Sequence, residues 1–187
     1  MPWSLDYLGP KEPELIDEFL LAVGKAVYLA AAFESKCGYL LELARLVHRL
    51  DVKPVDEDIS ATFELLRAMR DKLLHGTIKE LATFPAFTAD EIAILDRARE
   101  ARNVIVHAIA DLGPLSRITA TAIAEATARL RLQLLALVPA DNLVSKWLCE
   151  IDEWREPAPR DIQEKYPHWV ELWVFRDEPR TAGEETP

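Results

Sequence analysis

The amino-acid sequence predicts an all-α fold, an up-and-down bundle of about five helices followed by a Trp- and Pro-rich C-terminal tail. Three observations predict it. Half of the 187 residues are hydrophobic while only 6 are glycine, a balance typical of packed helices and not of sheets or disordered chains. Apolar residues recur at helical spacings over long stretches. Proline, glycine and capping signals then cut those stretches into segments of helical length. The length suits one domain with a small appendage, read here as a bundle over residues 1–156 and a tail over residues 157–187, partly docked and then disordered. No internal repeat of solenoid length is present.

The first helix is expected over residues 14–50, where Leu15, Phe19, Val23, Val27, Ala31, Cys37, Leu41, Ala44 and Val47 mark an apolar face and Gly24 and Gly38 mark sites of bending. Pro54 ends it, since proline has no N–H to donate and disfavours helix in the residue before it. A second helix is expected over residues 58–81, carrying Phe63, Leu66, Met69, Leu73 and Leu74. Thr88 and Glu91 stand at capping-box spacing, so a third helix starts at Ala89 and runs to Asp111. Gly113-Pro114 stops it. A fourth helix follows over residues 116–138, its first half rich in Ala and Thr, and a fifth over residues 141–154 completes the bundle.

Beyond Trp154 the prolines at 157, 159 and 167 are expected to break helical continuity, and Trp169, Leu172, Trp173 and Phe175 read as a tail folded back on the bundle. From Arg176 onward the composition cannot build a core, so disorder is expected there.

The net charge of −10 argues against a protein that grips nucleic acid with its whole surface, because phosphate affinity comes from clustered Lys and Arg; it leaves room for a local basic patch. Cys37 and Cys149 read as free thiols in a reducing compartment, which makes the cytoplasm the expected location. The start of the chain has no basic region followed by an apolar core, and the stretch from Leu15 to Phe33 is interrupted by Asp17, Glu18 and Lys25, so no membrane association is expected. His48 and His168 lack metal-ligand spacing with either cysteine, and the scattered glycines form no phosphate loop or dinucleotide fingerprint; neither metal nor cofactor is expected. Glu150, Asp152 and Glu153 read as a solvated helix face.

The segment that carries chemistry is Arg102-Asn103-Val104-Ile105-Val106-His107 on the third helix. Arg99, Asn103 and His107 follow one another at spacings of four and share a polar face, and Arg102 lies one step round toward an apolar stripe of Leu95, Ala98, Ile105 and Ile109. Arg102 and His107 are separated by about 140° of rotation and about 7.5 Å of rise on an ideal helix. Two copies of the helix across a symmetric interface would gather two arginines and two histidines around one cleft. Such a set suits metal-independent cleavage of RNA: a histidine moves a proton from the 2′-hydroxyl or to the leaving oxygen, and an arginine stabilises charge on the phosphate.

Arg102-Asn103-x-x-x-His107 resembles the signature of the HEPN superfamily (higher eukaryotes and prokaryotes nucleotide-binding domains), small helical bundles that usually dimerise and many of which are metal-independent ribonucleases acting as toxins or defence effectors. The resemblance implies that Arg102 and His107 are catalytic, that Asn103 helps orient the site, that the chain is a homodimer acting on RNA, and that an antitoxin-like protein is a candidate partner. It covers the six residues and a compatible bundle from Glu14 to Trp154. The chain departs from the pattern in carrying Ala108 where many members have Gly or Ser, and Ile109 where members silenced by nucleotidylation carry the modified tyrosine; that form of regulation is not expected. Arg99, with Arg97 and Arg102, would supply the local basic surface for substrate.

Two alternatives stay open. Arg70 and His75 have the same spacing and a His-Gly ending; Arg102 and His107 are preferred because more of the bundle precedes them. Glu34, among Ala30, Ala31, Cys37 and Gly38, is either a buried carboxylate supporting Arg102 or an exposed one on the far side of its helix. For function, the ribonuclease stands beside a non-catalytic HEPN-like nucleotide-binding or dimeric scaffold, and beside an unrelated interaction scaffold that meets its partner through the tryptophan-rich tail.

Overall fold

The computed structural model describes residues 13–52, 73–108, 118–151 and 160–175. Its regular elements among these residues are all α-helices: α1 (Pro13–Val52), α2 (Leu74–Leu81), α3 (Ala89–His107), α4 (Ala120–Ile151) and α5 (Arg160–Phe175). The all-α bundle expected from the sequence is therefore the fold. The most extensive packing joins α4 to α3 and to α1. The side-chain contacts set the directions. Lys36 of α1 meets Asp141 of α4 and Phe19 shares a crevice with Leu130, so α1 and α4 run parallel. Phe87, just before α3, packs on Trp147 while Ile105 meets Leu130, so α3 runs against α4. Arg131 meets Glu171 and Asn142 meets Gln163, so α5 also runs against α4.

The buried side of α1 is Ile16, Phe19, Val23, Ala26, Ala30, Phe33, Cys37, Leu40 and Ala44. These positions alternate steps of three and four without interruption, the spacing that keeps an apolar seam facing a neighbouring helix. Of the apolar positions expected on this helix, Phe19, Val23, Cys37, Leu41 and Ala44 lie in the core, but a row of fours drifts off it: each step of four advances about 40° round the helix, and Ala31 and Val47 end up exposed. Gly24 and Gly38 lie inside the continuous helix, with no side chain against either. Opposite this seam, α4 buries Ile123, Ala126, Leu130, Leu134, Leu137, Val138, Ala140 and Val144, and α3 buries Leu95, Ala98, Ala101 and Ile105.

α3 begins as its capping box requires. The Thr88 hydroxyl accepts from the Glu91 amide at 3.3 Å, and the Glu91 carboxylate accepts from the Thr88 amide at 2.9 Å. That backbone hydrogen bond also holds the Glu91 carboxyl below its ordinary pKa.

The fourth and fifth helices expected from the sequence are one helix, α4, which runs straight through Pro139. Proline removes the N–H that would reach the carbonyl four residues back. Pro139 and Leu135 both lie on the exposed side, where water can take that carbonyl, while Leu137, Val138 and Ala140 are held in the core. The tail likewise contains a helix, α5, with Pro167 inside it. The carbonyl that Pro167 leaves without its partner belongs to Gln163, and it accepts a hydrogen bond from the Asn142 side chain at 3.2 Å. α5 docks by burying Val170 and Val174. At its far end Lys25 donates to the Trp173 carbonyl and lies 5.3 Å from the centre of the Trp173 ring. Leu73, expected inside the second helix, stands just before α2 with an extended backbone and is exposed; expected helix at residues 58–72 and 109–111, and the disorder expected from Arg176 onward, lie outside the described residues. No helix among the described residues is long and apolar enough to cross a membrane.

Asp141 is the one charged residue buried among the described residues. Lys36 Nζ reaches its two oxygens at 2.9 and 3.0 Å, and the Tyr166 hydroxyl donates to it from α5. Burial, reinforced by the negative charge of Asp141, pushes both Tyr166 and Cys37 above their ordinary pKa values. Each therefore keeps in the folded state a proton that the unfolded chain releases. The stability this contributes is complete below the ordinary values, 9.0 for Cys37 and 10.0 for Tyr166, and is lost as pH rises above them. Urea midpoints should accordingly fall steadily between about pH 9 and pH 11, and Tyr166→Phe should flatten the decline above about pH 10. A second expectation concerns α5. Asn142→Leu should cost about 1 kcal/mol by denaturant titration. Adding Pro167→Ala should recover most of that loss, because the alanine supplies the missing backbone donor.

Candidate functional site

The register of α3 decides where its polar residues go. With Ala98, Ala101 and Ile105 in the core, Arg102 stands at the seam with α1. There its Nη2 donates to the Glu34 carboxylate, and its Nη1 donates to Asn103 Oδ1 at 3.1 Å. The side chains of Arg102 and Glu34 are 27% and 32% exposed, so the pair is partly shielded from water. Of the two placements open for Glu34, the one against Arg102 forms. Arg102 Nε is buried and has no acceptor among the described residues.

The rest of the polar set is not drawn into this cluster. Arg99 is occupied within its own helix, its Nε 2.8 Å from Asp96 and its Nη2 3.4 Å from Glu100. Asn103 is exposed apart from its bond to Arg102, and His107, the last residue of α3, is exposed. No hydrogen bond or ion pair joins the His107 side chain to another described residue. Val104 and Val106 beside it are 43% and 40% exposed, an unusual amount for two β-branched apolar side chains on one turn. Within one chain, then, Arg102 turns toward α1 while His107 turns to solvent. Arg97 is exposed and carries no acidic partner among the described residues.

Other residues singled out from the sequence fall elsewhere. His75 is exposed near the start of α2, and Arg70 lies outside the described residues, as do Ile109, Asp152 and Glu153. Glu150 is exposed and 3.6 Å from Lys146 one turn back, a solvated helix pair. His48 stacks edge-on against Phe84, and His168 is exposed on α5. Among the described residues, no three His, Cys, Asp or Glu side chains gather as a metal-holding group.

Sequence reasoning missed one feature of this region. A partly open crevice separates the end of α3 from the first half of α4, with Val104 and Ala108 on one wall, Phe19 and Leu130 on its floor, and Arg129 and Gln133 on the other wall. The available signal was the spacing: Arg129 and Gln133 are one turn apart and flank the core position Leu130, which puts both on the edge of the buried face.

Comparison of the chain with protein-family descriptions, with curated proteins and with solved structures finds no match.

The Arg102–Glu34 pair has a measurable consequence. A partly shielded ion pair of this kind contributes about 1 kcal/mol or less. Glu34→Ala and Arg102→Ala, singly and together, should give a coupling energy of about 0.5–1 kcal/mol in urea denaturation.

Proposed function

We propose that this chain is a HEPN-like, metal-independent endoribonuclease, of the kind that serves as a toxin or defence effector, and that it works as a homodimer with a composite site. The observation that carries the reading is the cluster Arg102–Asn103–Glu34 at the α1–α3 seam, with His107 exposed on the same helix and turned away from it. In this reading Glu34 and Asn103 hold the guanidinium of Arg102 in place to stabilise charge on the scissile phosphate. His107 of a second copy moves the proton, taking it from the 2′-hydroxyl or delivering it to the leaving oxygen. The exposed Val104 and Val106 supply apolar surface next to that histidine, which suits contact between two α3 helices. An antitoxin-like protein covering the same face is the partner this role calls for, and the cytoplasm is where it would act.

The balance of charge favours one other reading. Because Glu34 already neutralises Arg102, the same cluster serves equally as a structural tie in a non-catalytic HEPN-like nucleotide-binding or dimeric scaffold.

The two are separated by incubating purified protein with single-stranded RNA in the presence of EDTA. Arg102→Ala and His107→Ala should each reduce cleavage by about 10²–10⁴-fold, the usual range for losing a proton-transfer group. Mixing the two inactive variants should restore roughly a quarter of the activity, because half of the randomly formed dimers carry one intact composite site. Cleavage that survives both substitutions would falsify the ribonuclease. A stable dimer inert toward varied RNAs would establish the scaffold.

A further inference from the structure

Arg99 and Arg102 both have carboxylate partners, yet the proposed reaction needs a cation free to hold the RNA chain. Arg129 of α4 is exposed and has no acidic partner among the described residues. It faces Val104 and Ala108 of α3 across the crevice, which is shallow: its volume is about 30 Å³, room for a water or two. The helical geometry puts His107 on that side. His107 is about 60° and about 4.5 Å of rise from Val104, whereas it is about 140° round the helix from Arg102. Within a single protomer, the arginine on the flank of His107 therefore comes from α4. Gln133, one turn beyond Arg129 on the same wall, adds an amide that can donate and accept. The crevice thus combines apolar walls, a neutral polar group and, at its edge, one arginine that forms no ion pair among the described residues.

We propose that Arg129 is a substrate-binding residue, holding a backbone phosphate of single-stranded RNA on the side of α3 that carries His107 of the same chain. The inference rests on the ribonuclease reading and adds to it the residue that anchors the strand. It also gives a chain of net charge −10 a local cation for a phosphate contact without a basic surface at large.

The experiment uses the full chain and a fluorescein-labelled, mixed-sequence single-stranded RNA. Anisotropy is followed over a series of salt concentrations, with cleavage measured in parallel on the unlabelled strand. Arg129→Ala is compared with Arg160→Ala, which changes net charge equally but lies at the exposed start of α5, near the other end of α4. Arg129→Ala should weaken binding about tenfold and reduce the slope of log K against log salt by about 0.7 per site, the share of one phosphate contact on a single strand. It should raise KM with little change in kcat. Arg129→Lys should restore most of the affinity, and Arg160→Ala should match the unsubstituted protein. If Arg129→Ala and Arg160→Ala bind alike while the unsubstituted protein cleaves RNA, the assignment of Arg129 is wrong and the ribonuclease stands. If the unsubstituted protein neither binds nor cleaves RNA, the ribonuclease falls and Arg129's role with it. Because Arg129 is exposed, its removal should leave the thermal melt unchanged, so a loss of binding cannot be put down to unfolding.

Discussion

The Asp141 carboxylate is the constraint around which three helices arrange themselves. A charge taken out of water is costly unless it is paired and fully hydrogen-bonded. Asp141 meets that requirement only by recruiting Lys36 from α1 and Tyr166 from α5. Ser145 completes the arrangement, accepting from Lys36 at 3.0 Å and donating back to the Asp141 carbonyl at 2.7 Å. The apolar seams of α1 and α4 drive the helices together without direction, since burial of hydrocarbon is insensitive to small slips along the axis. The buried carboxylate is sensitive to them. Sliding α1 by one turn would strand a negative charge among Cys37, Val144 and Leu137, so the polar group sets the register that the apolar groups leave open.

The helical class was legible because it rests on composition and on periodicity, which are averages over many residues. Individual boundaries depended on single residues whose effect the surroundings could reverse. Thr88 and Glu91 act locally and behaved as their spacing implied. Pro139 and Pro167 did not end their helices: the carbonyl freed by Pro139 lies on the exposed flank of α4, open to solvent, and that of Gln163 accepts from Asn142. No inspection of the residues around Pro167 could reveal that partner, which comes from another helix. The core face of α1 was drawn only in part, for a different reason. A row of fours and an alternation of threes and fours look alike over two turns and diverge over five, and the true seam becomes visible only when the whole length is read.

The candidate site divides along the same line. The meeting of Arg102 with Glu34 was one of two placements the sequence left open, and the packing of α1 against α3 selects it. The turning of His107 away from Arg102 followed from the helical angle alone. Arg129 was hidden because its significance depends on which helix lies against the end of α3. That is a property of topology, and the Ala- and Thr-rich stretch carrying it offered no motif.

α1 comes first along the chain, and the groups that finish it come last. Its lysines find partners 105 residues away for Lys36 and 148 residues away for Lys25, whereas Arg45 meets Glu80 after only 35. During synthesis, the end of α1 nearest α2 can settle early, while the seam from Ile16 to Leu40 stays open until α4 and α5 have emerged. Long-range pairing of this kind slows folding relative to a bundle whose neighbours are also sequence neighbours. It also leaves that row of apolar side chains exposed to other nascent chains in the interval, the circumstance in which aggregation competes with folding and chaperones matter.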